Sequence, residues 1–158
     1  MPIVQAEIEI AAPPGAVFDL AQSYELRLLW DPFLRDLKPL HRDGDPTREV
    51  RVWVRSWTGL TMEVEYVNIN RPHSVAMRML RGPWFFEMFA GTWLFQLLPS
   101  GDTRVVFRYN FRTRPRVARV LVDPIIERVF HRDIRARLAG LKRGIEVDRL
   151  LERMSPSC

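Results

Sequence analysis

Cysteine is almost absent from this chain of 158 residues, whose one thiol belongs to the last residue, Cys158. An intramolecular disulfide and a thiolate zinc cluster are therefore both excluded. Histidine is scarce as well, and His41, His73 and His131 have no metal-ligand spacing among them. We expect no metal, no other cofactor, and a protein suited to a reducing cytoplasm.

Long apolar runs are also missing, since no stretch approaches the ~18 residues that a membrane span requires. The N-terminus has no basic region followed by a short apolar stretch and a cleavage site, so no export signal is predicted. The phosphate-binding pattern of a Gly-rich loop between a strand and a helix does not occur, and neither does a nucleophilic elbow. These absences predict a cytoplasmic protein with no integral membrane association.

Lysine is rare too, because only Lys38 and Lys142 among the 24 basic residues are lysines, while the net charge is +5. The arginines are dispersed along the chain, which is typical of solvated faces rather than of a nucleic-acid surface. We therefore predict no nucleic-acid partner. The densest basic stretch, residues 112–119, leaves open a contact with an anion or a membrane surface.

The first forty residues predict one strand and two short helical segments. From Ile3 to Ile10 every second residue is apolar, as in a half-buried strand. A helix is predicted from Pro14 onward, because proline suits a helix start and apolar residues follow at helical spacing. A second helical segment is predicted from Tyr24 to Leu37, with a break or kink at Pro32.

A turn-rich linker, His41–Thr47, is followed by alternating segments that predict further strands. The turn at residues 99–102 predicts that the last two strands are antiparallel neighbours. The predicted sheet therefore has six to seven strands. After the linker, its strands are Glu49–Trp57, Leu60–Ile69, Ser74–Leu80, Phe85–Leu98 and Thr103–Thr113.

The last third of the chain, Pro115–Met154, has apolar residues at helical spacing and predicts one long helix, kinked or restarted at Pro124. A helix of this size needs an apolar surface to lie on, and the antiparallel sheet must supply it as a curved grip around a cavity. The length fits a single domain, predicted at residues 1–154, with a disordered tail at residues 155–158.

Several short sequences sharpen this picture. Residues 8–20 resemble the first strand and first helix of the START-related SRPBCC superfamily, and Trp30-Asp31-Pro32-Phe33 resembles the aromatic and proline segment of its second helix. Residues 91–95, the turn at residues 100–103 and residues 138–146 resemble its final hairpin and the end of its last helix. The resemblance covers nearly the whole chain and implies the α+β helix-grip fold.

Within that superfamily the chain is most similar to the polyketide cyclase/dehydrase and lipid-transport branch. The resemblance implies a bulky hydrophobic ligand, polyketide-like or lipid-like, in a cavity between the sheet and the C-terminal helix. Some members of this branch catalyse ring closure and dehydration, and others only carry or sense a ligand. The residues expected to contact the ligand, as cavity wall or core, are Trp30, Phe33, Val52, Val54, Met62, Val64, Asn68, Phe89, Trp93, Phe95, Phe107, Ile134 and Leu138.

Five polar residues are candidates for an alternative function, cofactor-independent cyclisation or dehydration. Glu127 and His131 lie four residues apart on the predicted long helix, either as an acid/base pair or as a surface ion pair. Tyr66 and Tyr109 share strand faces with apolar residues, where they either hydrogen-bond a ligand or pack as core.

The fifth candidate is Arg78, which the resemblance to aromatic polyketide cyclases places in the cavity, whereas hydrophobicity alone turns it towards water. Catalysis requires the five polar tips to converge within about 8–10 Å. A third hypothesis is a regulatory or partner-binding module acting through Trp53 and Trp57, which share a predicted solvent face with arginines. Either a monomer or a homodimer is compatible with the sequence.

Overall fold

The computed structural model describes residues 2–40 and 51–154. Its elements, in chain order, are β1 (Ile3–Ile10), α1 (Pro14–Gln22), α2 (Tyr24–Trp30), β2 (Leu34–Leu40), β3 (Arg51–Ser56), β4 (Thr61–Asn70), β5 (Ser74–Arg81), β6 (Phe86–Leu97), β7 (Thr103–Thr113), a 3-10 turn (Arg116–Ala118), α3 (Arg119–Glu146) and a second 3-10 turn (Leu150–Arg153). The strands form one sheet of seven, in the order β1-β7-β6-β5-β4-β3-β2, and every neighbouring pair is antiparallel. The predicted α+β helix-grip architecture is confirmed.

In the first and last strands, the side chains that the sequence predicts to be buried are the ones that face the core. In β1, Val4 and Ile10 are buried and Glu9 is exposed. In β7, Phe107 and Tyr109 are 1% and 2% exposed, and Arg108 between them turns to the other face. The β6–β7 hairpin pairs along its whole length, from Leu97 opposite Thr103 to Phe86 opposite Thr113. Period-two alternation therefore predicted the facing of both strands correctly.

The long helix lies across one half of the sheet. In α3, Ile134, Leu138 and Leu141 are at most 1% exposed, and the helix packs mainly against β1 and β7. The helix starts at Arg119 and ends at Glu146, so it is shorter at both ends than the predicted helix, and it runs through Pro124 without interruption. No helix in the described part of the chain is both long and apolar enough to cross a membrane.

The prediction of helix as far as Leu37 is wrong. Helix α2 ends at Trp30, and Leu34–Leu40 is β2, an edge strand that pairs with β3. Proline has no backbone N–H and its ring disfavours helical geometry in the preceding residue, so the chain leaves the helix at Asp31, directly before Pro32. The predicted linker and the start of the strand predicted at Glu49–Trp57 lie outside the described residues.

Helix α3 approaches the end of α2 very closely. A methyl group at position 140 would overlap the backbone oxygen of Trp30, and one at position 144 would lie 2.9 Å from the Leu150 side chain and 3.1 Å from Cβ of Trp30. Two glycines on one face of α3, Gly140 and Gly144, therefore set the distance between the helices.

We expect Gly140→Ala to destabilise the protein by about 1–3 kcal/mol, the typical cost of overpacking a core. Alanine favours a helix over glycine by about 1 kcal/mol, so any loss must come from the contact with Trp30. Urea unfolding followed by circular dichroism measures the change. The matched control is Gly15→Ala in α1, where the added carbon meets only the Arg71 side chain at 3.6 Å. Equal stability of the two variants would contradict the proposed close contact.

Candidate functional site

A cavity of about 210 Å³ lies between the concave face of the sheet and α3. Every strand from β2 to β7 contributes to its wall, and α3 closes one side. The wall is largely apolar and aromatic. Phe130 of α3 packs beside it, with its ring stacked on Phe86 at a centroid distance of 5.7 Å and edge-on to Phe111 at 5.2 Å.

The structure places many of the predicted contact residues in this wall. Tyr66 of β4 and Tyr109 of β7 also face the cavity. Their contribution to ligand binding or chemistry stays a prediction. The predicted apolar residues in the wall are Phe33, Val52, Val54, Met62, Val64, Phe89 and Phe107.

Other predicted contact residues lie in solid core outside the cavity wall. Trp93 is fully buried and stacks on Phe107 at a centroid distance of 3.7 Å, and Trp30 meets Trp93 edge-on at 6.2 Å. These rings fill the space between the sheet and the short helices. Of the two expected placements, cavity wall or core, the structure gives the core for five residues, whose contact with a ligand stays a prediction: Trp30, Trp93, Phe95, Ile134 and Leu138.

Two predicted inward residues of the sheet point away from the cavity. Asn68 is exposed because the pairing of β4 with β5 shifts register between Tyr66 and Asn68. The Arg78 side chain is 60% exposed and pairs at 2.9 Å with Glu65, its cross-strand neighbour. The placement of Arg78 inside the cavity is therefore wrong, and the hydrophobic alternation, which turned it outward, was the correct guide.

The Glu127 and His131 pair also lies outside the cavity. Both residues are exposed. The side of α3 that faces the cavity carries Ile126, Phe130 and Asp133 instead. The predicted inward stripe is extrapolated from the buried C-terminal half of α3. Over the cavity, the packing of Phe130 fixes a different orientation, so the inward residues come one position earlier in the chain than predicted. The five predicted catalytic residues therefore do not converge as a set.

The inner end of the cavity holds a buried charge cluster built on Asp31. The Asp31 carboxylate accepts a bond from Arg27 at 3.0 Å and two from Arg137 at 2.9 and 3.1 Å. Its other oxygen accepts the backbone N–H of Phe33 at 3.0 Å. Arg27 and Arg137 are 5% and 6% exposed and both line the cavity. Two guanidinium groups therefore share one carboxylate at the base of an apolar space.

Aromatic rings hold the two guanidinium groups in place. Arg137 lies 4.8 Å from the ring of Phe33 and 4.9 Å from that of Phe107, and it donates to the phenol oxygen of Tyr109. Arg27 lies 5.0 Å from the ring of Trp30 and donates to the backbone oxygen of Ala21 at 2.5 Å. The planar groups are thus fixed by stacking as well as by hydrogen bonds.

The protonation states in the cluster follow from burial and from the neighbouring charges. Burial alone would raise the pKa of Asp31, but Arg137 and Arg27 outweigh it and hold that pKa below its ordinary value. Burial lowers the pKa of Arg137, and the attraction of Asp31 and Tyr109 more than compensates, so the net pKa is raised. Burial also raises the pKa of Tyr109, an effect that Arg137 offsets in part. The cluster therefore carries an Asp31 carboxylate, an Arg137 cation and a neutral phenol.

Asp133 adds a second carboxyl group to the cavity wall. It lies on α3 one turn before Arg137 and accepts a hydrogen bond from the Trp57 side chain, which links the β3–β4 turn to the helix. Burial raises the pKa of Asp133, and the bond from Trp57 offsets part of the increase. Trp57 is still 52% exposed, and Trp53 packs under Lys38 at 5.2 Å.

Sequence reasoning missed the charged residues Arg27, Asp31, Asp133 and Arg137. Two signals pointed to them. Arg137 lies in the same helical stripe as Ile134 and Leu141, and a charge in an apolar stripe needs a buried partner. Asp31 lies four residues after Arg27 and directly follows a tryptophan. Charged residues were assigned to solvent by default, and the partner across the fold is far away in sequence.

We expect Asp31→Asn to destabilise the protein by about 3–5 kcal/mol, because two buried guanidinium groups lose their counter-charge. In the wild type, the folded pKa of Asp31 lies below its unfolded value of about 3.9, so this contribution is present above that pH and is lost as pH falls through the folded pKa. Urea unfolding between neutral and acid pH tests both the size and the pH dependence.

The control for this prediction is Asp19→Asn, which breaks the exposed ion pair with Arg71. Because water screens that pair, we expect a far smaller loss of stability. A comparable loss in the two variants would show that the Asp31 cluster does not carry the stability assigned to it.

Comparison with curated proteins finds no match. Solved structures share the fold over nearly the whole chain. The protein TTHA0849 from Thermus thermophilus is 22% identical with a TM-score of 0.76, covering 98% of this chain and 100% of that one. A START superfamily protein from Mycobacterium smegmatis is 12% identical with a TM-score of 0.76, covering 94% of this chain and 98% of the other.

The Zhui aromatase/cyclase from Streptomyces sp. R1128 is similar as well, with 18% identity, a TM-score of 0.72, and coverage of 93% of this chain and 97% of that one. At these identities the likeness shows the shared fold. The family model described as polyketide cyclase / dehydrase and lipid transport matches residues 1–146. The chain therefore belongs to the polyketide cyclase / dehydrase and lipid transport family.

Proposed function

We propose that the protein binds a small, mainly apolar molecule that carries an acidic group, with its apolar body in the cavity and its acidic group at Arg27 and Arg137. The observation that carries this proposal is the pairing of an apolar wall with two buried guanidinium groups that share a single carboxylate, Asp31. The family description and the cyclase neighbour support an apolar ligand.

The cavity volume limits the size of this ligand. A volume of about 210 Å³ lies below the 300–1,000 Å³ range of ordinary ligand pockets. The ligand is accordingly smaller than a typical drug-sized molecule. A medium-chain fatty acid or a small fused-ring acid has suitable size and polarity.

The charge at the inner end favours an acid over a neutral molecule. Arg27 and Arg137 are both nine-tenths or more buried, and Asp31 neutralises only one of them. Buried charges are normally paired, because an unpaired one loses its hydration without compensation. Asp133 in the same wall interacts with Arg137 as well, but burial raises its pKa and so disfavours its charged form. A ligand carboxylate would supply the missing charge.

We expect decanoic acid to displace a fluorescent fatty acid from the wild-type protein, and Val54→Trp to weaken that binding by about tenfold or more, because the larger ring fills the cavity. Val54 lines the cavity. The matched control is Val67→Trp, since Val67 is 52% exposed on the neighbouring strand, and it should bind like the wild type. Absence of saturable binding by the wild type, or equal weakening in both variants, would refute the cavity as the binding site.

The same titration with decanol and methyl decanoate tests the acidic group. We expect both to bind about tenfold or more weakly than the acid, because a buried charge pair discriminates against a neutral isostere. Arg27→Gln should reduce the difference and Arg27→Lys should retain more of it. Equal affinity of acid and alcohol would limit the proposal to apolar binding.

A second candidate function is ring closure or dehydration without a cofactor. It is favoured by Asp133, a carboxyl group in the cavity wall whose pKa burial raises above its ordinary value, as in a general acid. Arg137 and Tyr109 lie at the same end of the cavity and can stabilise an enolate oxygen.

For the enzymatic alternative, we expect turnover of a short poly-β-carbonyl thioester, followed by the ultraviolet absorbance of the ring product, to fall in Asp133→Asn by about 10²-fold or more. Glu127→Gln is the control, because Glu127 is exposed outside the cavity, and its rate should be unchanged. No turnover by the wild type, or equal loss in both variants, would eliminate this alternative.

A further inference from the structure

The 3-10 turn before α3 and the first turns of α3 reverse the usual polarity of a surface helix. Val117, Val120, Leu121 and Ile125 are 89%, 83%, 76% and 64% exposed, where polar side chains normally meet water. Trp84, in the turn before β6, is 74% exposed. We name these five residues the apolar tip.

The two parts of the apolar tip lie side by side. The backbone N–H of Arg114 donates to the backbone oxygen of Phe85 at 2.9 Å, and Arg119 pairs with Glu87 at 2.8 Å. These contacts tie the segment around Trp84 to the start of α3. The exposed apolar side chains therefore form one patch at one end of the molecule rather than scattered single residues.

Basic residues surround this patch. Residues 114–132 contain five arginines against only Asp123 and Glu127, and Asp123 is engaged by the Thr113 hydroxyl. Arg128 and Arg132 are exposed on the outer side of α3. With a rise of about 1.5 Å per residue, Arg128 lies about 10 Å along the helix axis from Leu121. The other three arginines, Arg114, Arg116 and Arg119, lie beside the apolar tip. We name the five arginines the basic collar.

We propose that the apolar tip inserts into the surface of a bilayer containing anionic lipids, with the arginines of the collar at the level of the lipid phosphates. Apolar side chains at an interface penetrate about 5–10 Å, so arginines beside the tip and up to about 10 Å behind it can reach the lipid phosphates. Tryptophan favours this interface, and guanidinium groups bind phosphate in a bidentate manner. A second copy of the chain fits less well, because it would bring two collars of the same charge together.

The tip borders the cavity. Ile126 and Val129 of α3 and Phe85 beside Trp84 belong to the cavity wall. A docked protein would therefore have its cavity next to the lipid, and an apolar ligand could pass between them with little exposure to water. The docking surface itself does not depend on the proposed function, since none of the residues of the tip lines the cavity.

Cosedimentation with vesicles tests the proposal. We expect the wild type to bind phosphatidylcholine vesicles that contain phosphatidylglycerol, to bind pure phosphatidylcholine far more weakly, and to lose affinity as salt is raised. The double substitution Leu121→Glu and Ile125→Glu should weaken binding about tenfold or more, because it places charges in the apolar layer. Both positions are exposed, so the fold should be retained, which circular dichroism checks.

The matched control is Leu97→Glu, a residue that is 68% exposed at the opposite end of β6 and should leave vesicle binding unchanged. Val54→Trp, which fills the cavity, should leave it unchanged too, so a failure of ligand binding and a failure of docking can be told apart. No binding of the wild type to either vesicle, or equal loss in Leu97→Glu, overturns the proposal. A wild-type dimer in light scattering that the double substitution dissociates would assign the tip to a second copy and overturn it as well.

Discussion

The carboxylate of Asp31 is the contact on which the arrangement of the helices depends. It binds Arg27 in α2, Arg137 in α3 and the backbone of Phe33 at the entry to β2. Through Arg137 the connection reaches Tyr109 in β7. Because these groups are removed from water, moving any one element would leave a buried charge or polar group without its partner. The positions of four elements are thus coupled through a single side chain.

A charge cluster is not the only way to join these elements. Replacing a buried ion pair by well-packed apolar residues is often neutral or stabilising, so the same helix arrangement could be built without charges. In this fold the cluster borders a cavity, and Arg27 and Arg137 both belong to its wall. The close contact of Gly140 with Trp30 brings α3 near enough to α2 for Arg137 to reach Asp31.

Most of the fold could be predicted from the sequence, because period-two and period-3.6 patterns report which side of an element is buried. The site could be predicted only in part. The apolar wall follows from strand alternation, and Val52 and Phe107 are examples. The errors arose where tertiary contacts override local pattern. A register shift in β4 directs the Asn68 side chain towards solvent. The packing of Phe130 on Phe86 places Phe130, and not His131, on the inward side of α3. The partner of Arg137 is 106 residues distant in the chain, beyond the reach of any local period.

Helix α3 contacts the two halves of the sheet unequally. Its main sheet contacts are with β1 and β7, whereas β2 to β5 lie mostly across the cavity from it. One side of the sheet is therefore packed directly on the helix, while the strands beyond β6 are separated from it by the cavity. Substitutions that change side-chain volume in those strands would reshape the cavity and leave the contact of α3 with β1 intact. The anchoring of the helix and the shape of the cavity are thus set by largely different residues.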